Sequence, residues 1–350
     1  MTALIVLGWI VLGLIALAVV GHVLAWLLYV PVAVRVFGET PWLPAQWQEP
    51  LGEGEHVNFY TQDGARLEGT YLRTTAAARK GVVAFCHQLN GDRWATVPYT
   101  EDLRRQGFDI FTFDFRNHGG SDRVADWEPM PWVTVQDLTD VQAAIDYVCG
   151  RSDADPRGIG LIGVSKGATV ALCAAASDTR VRTLVLDGPC PTERMQLHYV
   201  RRFMQIYVAY PWLVSRLPDL SLRSTNAWTK FVVQRQRHCR FVNVDQAARQ
   251  VRQPVMMIHG QRDAHVPVEV ARGLRNSMPN CTRLWVVPNA KHNGGIMVAR
   301  NTYHRRIARF FERHLAVPTV AEQSPQPLPS PRLLAPKFAG AAGGQSAVTS

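Results

Sequence analysis

The chemistry with the sharpest outline centres on a serine. Ser165 lies in Gly163-Val164-Ser165-Lys166-Gly167, directly after the apolar run GIGLI and ahead of ATVALCAAA. A glycine on each side permits the cramped strand-to-helix turn that lifts a serine hydroxyl out at a sheet edge. The helix start that follows offers backbone N–H groups and a positive dipole end where an oxyanion would form. A hydroxyl is a weak nucleophile at neutral pH and needs a histidine base oriented by a carboxylate. Two later loops hold those residue types in the chain order Ser, acid, His. Gln261-Arg262-Asp263-Ala264-His265 follows PVMMIHG, and Asn289-Ala290-Lys291-His292-Asn293 follows RLWVVP. Ser165, Asp263 and His292 are therefore expected as nucleophile, acid and base. Asp187, ending the run VRTLVLD, competes for the acid's role; Asp263 is preferred because its loop follows the penultimate strand.

Such a trio needs loops held at one edge of a sheet. Short apolar runs at 81–86, 109–114, 158–163, 181–187, 254–259 and 283–288 suit buried parallel strands. Between them, stretches such as VTVQDLTDVQAAIDYVC and VEVARGLRNSM carry apolar residues at helical spacing. VNFYT and RLEGTYLR flank the turn Gln62-Asp63-Gly64 and read as an antiparallel hairpin. Alternating strands and helices imply an α/β class with a doubly wound, mostly parallel eight-stranded sheet, binding its ligands at the carboxyl ends of the strands.

With these pieces in place, the chain resembles the α/β-hydrolase superfamily, in particular its serine-aminopeptidase-like and monoacylglycerol-lipase-like branch. The similarity spans roughly residues 55–315. It rests on Asp63-Gly64-Ala65-Arg66-Leu67-Glu68-Gly69-Thr70-Tyr71, on FDFRNHGGSD at 113–122, on the GVSKG elbow, and on the loops of Asp263 and His292. The resemblance implies an acyl-enzyme on Ser165, with the backbone N–H groups of Leu89 and Lys166 as the oxyanion hole. Relatives carry His-Gly after the strand matching 81–86, whereas this chain has His87-Gln88-Leu89-Asn90-Gly91. A residue larger than glycine at position 88 bears on the shape of that loop and on the acyl site. Asp114 matches a position that braces loops, and the Lys166 side chain is expected to point away from the site. No metal or organic cofactor is implied.

The long interval between VRTLVLD and PVMMIH, about 190–253, is expected to form a helical lid. Residues 191–240 hold nine Lys/Arg against two acidic residues. That balance suits acidic or amphiphilic substrates near a membrane, and it equally suits a solvated lid face. The whole chain carries +10 formally, with 47% hydrophobic residues. The charge fits an anionic surface such as lipid headgroups, or an arginine-rich composition alone; no nucleic-acid-binding motif accompanies it. Six cysteines form no CxxC pair and read as buried free thiols.

Residues 3–30 contain no charged side chain, and His22 is the one strongly polar group. As a helix they would extend roughly 42 Å, enough to cross a bilayer with tilt. A transmembrane anchor is expected over 1–34, a linker over 35–55, the hydrolase domain over 56–317 and a disordered tail over 318–350. Arg35 on the C-terminal flank places the body on the cytoplasmic side by the positive-inside bias.

The expected activity is a membrane-anchored serine hydrolase acting on a small or lipid-like ester, thioester or amide. Two alternatives stand beside it. GVSKGA also looks like the elbow of acyl-CoA thioesterases and acyltransferases, although those carry an N-terminal β-domain for which about 25 linker residues leave no room. A catalytically silent binding protein on the same fold is the other, and His87-Gln88 is the feature that favours it.

Overall fold

A computed structural model describes residues 2–39, 48–207 and 219–316. The chain begins with helix α1 (Thr2–Gly38). The hairpin β1 (Glu55–Tyr60) and β2 (Arg66–Leu72) follows, then β3 (Gly81–Cys86), α2 (Val97–Arg105), β4 (Phe108–Phe113), α3 (Val135–Cys149) and β5 (Ile159–Val164). Next come α4 (Lys166–Ala175), β6 (Val181–Asp187), α5 (Thr192–Tyr207), α6 (Asp219–Gln236) and α7 (Val244–Gln250). The chain closes with β7 (Val255–Gly260), α8 (Val268–Ser277), β8 (Cys281–Val287), α9 (Gly295–Val298) and α10 (Arg300–His314).

The eight strands form one sheet in the order β1-β2-β4-β3-β5-β6-β7-β8. β2 runs antiparallel to both β1 and β4, and every other neighbouring pair is parallel. One strand is thus reversed in an otherwise parallel sheet, which is the expected doubly wound architecture. β3 and β5 are buried along their whole length, as strands covered by helices on both faces must be. One face packs against α3, α4, α7 and α8, with Val141, Ile145, Val170, Leu172, Ala248 and Leu274 in its core. The other packs against α2 and α10 through Tyr99, Leu103, Tyr303, Ile307 and Phe311. Strand order reverses at β3, between β4 and β5, so the loops after β3 and β5 part there and open a crevice at their carboxyl ends.

α1 is one unbroken helix despite Pro31. Its stretch Thr2–Leu24 is long and apolar enough to cross a membrane, and none of it is buried in the protein. The helix runs four residues into the segment expected as a linker, because its end is docked. The Phe37 ring stacks on Trp132 with centroids 4.5 Å apart and planes 10° from parallel. Trp132 Nε1 also donates to the Phe37 carbonyl oxygen at 3.0 Å. Farther up, Trp26 stacks on Trp228 of α6, and His22 meets the Ser224 hydroxyl at 3.3 Å. Matching 22 to 224 and 26 to 228 makes α1 and α6 a parallel pair.

Where described, the interval 190–253 carries the helices α5, α6 and α7, with a non-helical connection at 237–243 in which Phe241 bridges Thr134; residues 208–218 lie outside the described part, as do 40–47 of the linker. The same holds for 318–350, the expected tail. All six cysteines are free, and Cys86, Cys173, Cys239 and Cys281 are buried.

Candidate active site

Ser165 sits between the last residue of β5 and the first of α4 with φ 54° and ψ −117°. That conformation is costly for a residue with a Cβ and persists only where its surroundings enforce it. Here Ser165 N–H donates to the Asp187 carbonyl at 2.7 Å, while its own carbonyl accepts from Thr169 N–H at 3.2 Å. The flanking glycines are required by contact. A Cβ on Gly163 would lie 2.5 Å from the Gly167 carbonyl oxygen and 2.6 Å from Ala168 Cα. A Cβ on Gly167 would collide with the carbonyl oxygens of Cys86 and His87. The second glycine therefore lets the N-terminus of α4 press against the loop leaving β3.

Ser165 Oγ lies 2.9 Å from His292 Nε2. On the other side of the ring, His292 Nδ1 lies 2.7 Å from Asp263 Oδ2. The Asp263 carboxylate also accepts from the N–H groups of His265 at 2.9 Å and Val266 at 2.8 Å. Burial works to raise the Asp263 pKa, but the His292 hydrogen bond and charge and the Val266 N–H outweigh it, and the net direction is down. An ionised Asp263 fixes a proton on Nδ1 and leaves Nε2 free to accept one from the serine. The three expected residues, 127 and 29 positions apart in sequence, are thus brought into one hydrogen-bonded chain.

Asp187 stands apart from this chain. Its carboxylate accepts from the Tyr303 hydroxyl at 2.9 Å, and burial pushes its pKa up to about 6. Its contribution to the elbow is the backbone carbonyl that holds Ser165 N–H. Asp114 serves loop geometry: it accepts from Arg93 N–H at 2.6 Å and Gly120 N–H at 2.9 Å, and pairs with the Arg93 guanidinium.

Lys166 opens α4, so its N–H has no acceptor within the helix. The loop bearing Leu89 abuts that helix end through the contact at Gly167. Leu89 is buried, and the Gln88 side chain folds back beside Gly91, where its Oε1 is buried without a hydrogen-bond partner. The Lys166 side chain is also buried, with Nζ 2.7 Å from Asp137 Oδ1 and 5.6 Å from the Trp127 ring centroid.

Two supporting groups escaped sequence reasoning. Arg116, buried, makes two hydrogen bonds to Asp63, at 2.6 and 2.9 Å, and reaches Asp140 at 2.8 Å. Asp63 lies in the stretch 63–71 and Arg116 in 113–122, but nothing in their spacing tells that they meet. The second group is the pair His87 and His118, with ring centroids 5.0 Å apart. His87 Nδ1–H donates to the Gln88 carbonyl at 2.7 Å, so Nε2 is the nitrogen that accepts Phe115 N–H at 3.2 Å. Burial pushes the His87 pKa down to about 4 and that of His118 to about 3.

Residues 83–310 match the Alpha/beta hydrolase family. An uncharacterized protein of Mycobacterium tuberculosis is 28% identical over 267 residues, covering 76% of this chain and 79% of that protein. A thiohydrolase of Aspergillus aculeatus is 31% identical over 137 residues, covering 39% of this chain and 41% of its own length. Among solved structures, an esterase of Pyrococcus furiosus superposes with a TM-score of 0.57 at 22% identity, over 79% of this chain and 98% of the esterase. At that identity the likeness is one of fold.

Proposed function

Since the chain belongs to the Alpha/beta hydrolase family, we propose that it is a membrane-anchored serine hydrolase that cleaves an ester, thioester or amide through Ser165, His292 and Asp263. The observation that carries this reading is the relay from Ser165 Oγ to His292 Nε2 at 2.9 Å and from His292 Nδ1 to Asp263 Oδ2 at 2.7 Å, mounted on a strained elbow. His292 takes the serine proton as Oγ attacks the acyl carbon. The backbone N–H groups of Leu89 and Lys166 receive the negative charge that develops on the carbonyl oxygen. His292 then passes the proton to the departing alcohol, thiol or amine, leaving an acyl-serine. Water deprotonated by His292 attacks that acyl group, and the returning proton restores Ser165.

The branch proposed is the serine-aminopeptidase-like and monoacylglycerol-lipase-like one, on the motifs at 63–71 and 113–122. The anchor proposed is the exposed apolar stretch Thr2–Leu24, with the body cytoplasmic by virtue of Arg35. Labelling with a fluorophosphonate probe tests the reaction. The wild-type chain should be labelled and Ser165→Ala should not; equal labelling of the two folded proteins overturns the reading. A thioester substrate is the second reading, favoured by the thiohydrolase relative. Side-by-side hydrolysis of p-nitrophenyl esters and acyl thioesters of matched chain length decides between them.

A further inference from the structure

α10 carries Arg305, Arg309 and Arg313 at successive intervals of four, so the three guanidiniums rise from one ridge of the helix. Like charges at this spacing repel and weaken a helix unless something neutralises them. Arg306 on the same helix and Arg283 of β8 join them around a groove of about 720 Å³ floored by Met256 and Phe310. Counter-charge among the described residues is lacking. The one carboxylate of α10, Glu312, is turned to Lys80 at 2.5 Å. Among the described residues none of the five arginines is ion-paired, and Arg305 reaches only the Thr302 hydroxyl at 3.4 Å. Residues 317–350 hold a single acidic side chain, Glu322. Arg306 lies over the Trp285 ring at 4.4 Å, and burial together with the charges of Arg283 and Arg305 pushes its pKa down. Five arginines thus line one groove with no ion-pair partner among the described residues.

We propose that this groove is a second site, separate from Ser165, that binds a soluble anion carrying a row of two or more phosphoryl groups. Planar guanidiniums grip phosphoryl oxygens in bidentate fashion. From Arg305 to Arg313 the ridge advances about 12 Å along the helix axis, which matches a chain of phosphates rather than a single one. The apolar floor and Trp285 add a surface for an organic moiety attached to that chain. A soluble source is favoured over lipid phosphate by position. α10 runs from Tyr303, bonded to Asp187 at the carboxyl end of β6, to Leu315, which packs beside Gly81 and Gly160 at the opposite edge of the sheet. The groove's Met256 and Arg283 lie near the starts of β7 and β8, whereas α1 docks at the other edge through Phe37 and Trp132.

Isothermal titration of the full-length protein in detergent with tripolyphosphate tests the site without reference to hydrolysis. Saturable binding at one equivalent is expected, weakened about ten-fold or more in the triple variant Arg305→Gln, Arg309→Gln, Arg313→Gln. The thermal midpoint of that variant, free of ligand, should equal or exceed the wild-type value, since repulsion is relieved. Fluorophosphonate labelling of Ser165 should be unchanged. Arg283→Gln, on a different element, should weaken binding in the same direction. The proposal falls if tripolyphosphate does not bind, if the triple variant binds it equally, or if sulfate at equal ionic strength competes as well. Capture by phosphatidate vesicles without tripolyphosphate binding also overturns it, by making the source a lipid.

Discussion

Ser165, His292 and Asp263 are linked by two short hydrogen bonds, and each has a distinct expected failure. Ser165→Ala and His292→Ala should each lower hydrolysis of an activated ester by about 10³-fold or more, with folding intact by circular dichroism. Asp263→Asn should lose activity on a similar scale, because an amide can hydrogen-bond the ring but favours the wrong tautomer. Asp187→Asn separates the two carboxylates. Its partner is the Tyr303 hydroxyl, so the variant should keep most of its activity and lose thermal midpoint instead. His87 supplies a pH signature. Its folded pKa is about 4 against an ordinary value of 6.5, so the stability it contributes is fully present above pH 6.5 and drains away as pH falls toward 4. The slope expected from this group is about 1.4 kcal/mol per pH unit. Denaturant titrations of wild type and His87→Asn at pH 7 and pH 4.5 check it: the gap between the two should narrow or reverse at the lower pH.

At the scale of elements, the site depends on how closely α4 approaches the loop after β3. Gly167→Ala would place a methyl group on the carbonyls of Cys86 and His87, and the helix must retreat. The retreat separates the N–H of Lys166 from that of Leu89. With these two N–H groups as the proposed oxyanion donors, loss of one costs about 10²–10³ in rate, so kcat should fall by about that factor with KM little altered. The hairpin turn is tied to the same region by Arg116, which is buried between Asp63 and Asp140. Asp63→Ala leaves that guanidinium with one partner and should lower stability by about 1–3 kcal/mol, read by chemical denaturation. Such a loss is expected although Asp63 itself is half exposed, because the penalty falls on the buried partner.

Across the whole molecule, α1 both carries an apolar stretch long enough to cross a membrane and ends as part of the body. These roles divide along its length. Removal of residues 2–24 should release the protein from the membrane fraction while leaving Phe37 on Trp132. Phe37→Ala should instead keep the membrane association and lower the stability of the body by about 3 kcal/mol, since the ring is almost fully buried. Fractionation by ultracentrifugation and thermal melts of the two variants distinguish these outcomes.

Much of this was open to reading from the chain. The elbow, the hairpin and six apolar runs follow from local patterns: alternation, helical spacing, and glycines where a turn needs them. The runs at 81–86 and 181–187 have the bounds of β3 and β6, while the ends of the other four shifted by a residue or two, because hydrogen-bond register, not hydropathy, sets where a strand stops. The order Ser, acid, His named three residues, yet the choice between Asp263 and Asp187 was topological. Asp187 ends β6 and Asp263 lies in the loop after β7; loop order favoured Asp263, and the side-chain directions, one toward His292 and the other toward Tyr303, show how the two differ. Long-range partners were closed to inspection for the same reason. Arg116 with Asp63, Lys166 with Asp137, and Phe37 with Trp132 are brought together by the sheet and its layers, and no periodicity along the chain encodes a contact across 29 to 95 residues. Local sequence thus determined which elements form and which residues are chemically able, whereas packing between elements decided which of those residues meet.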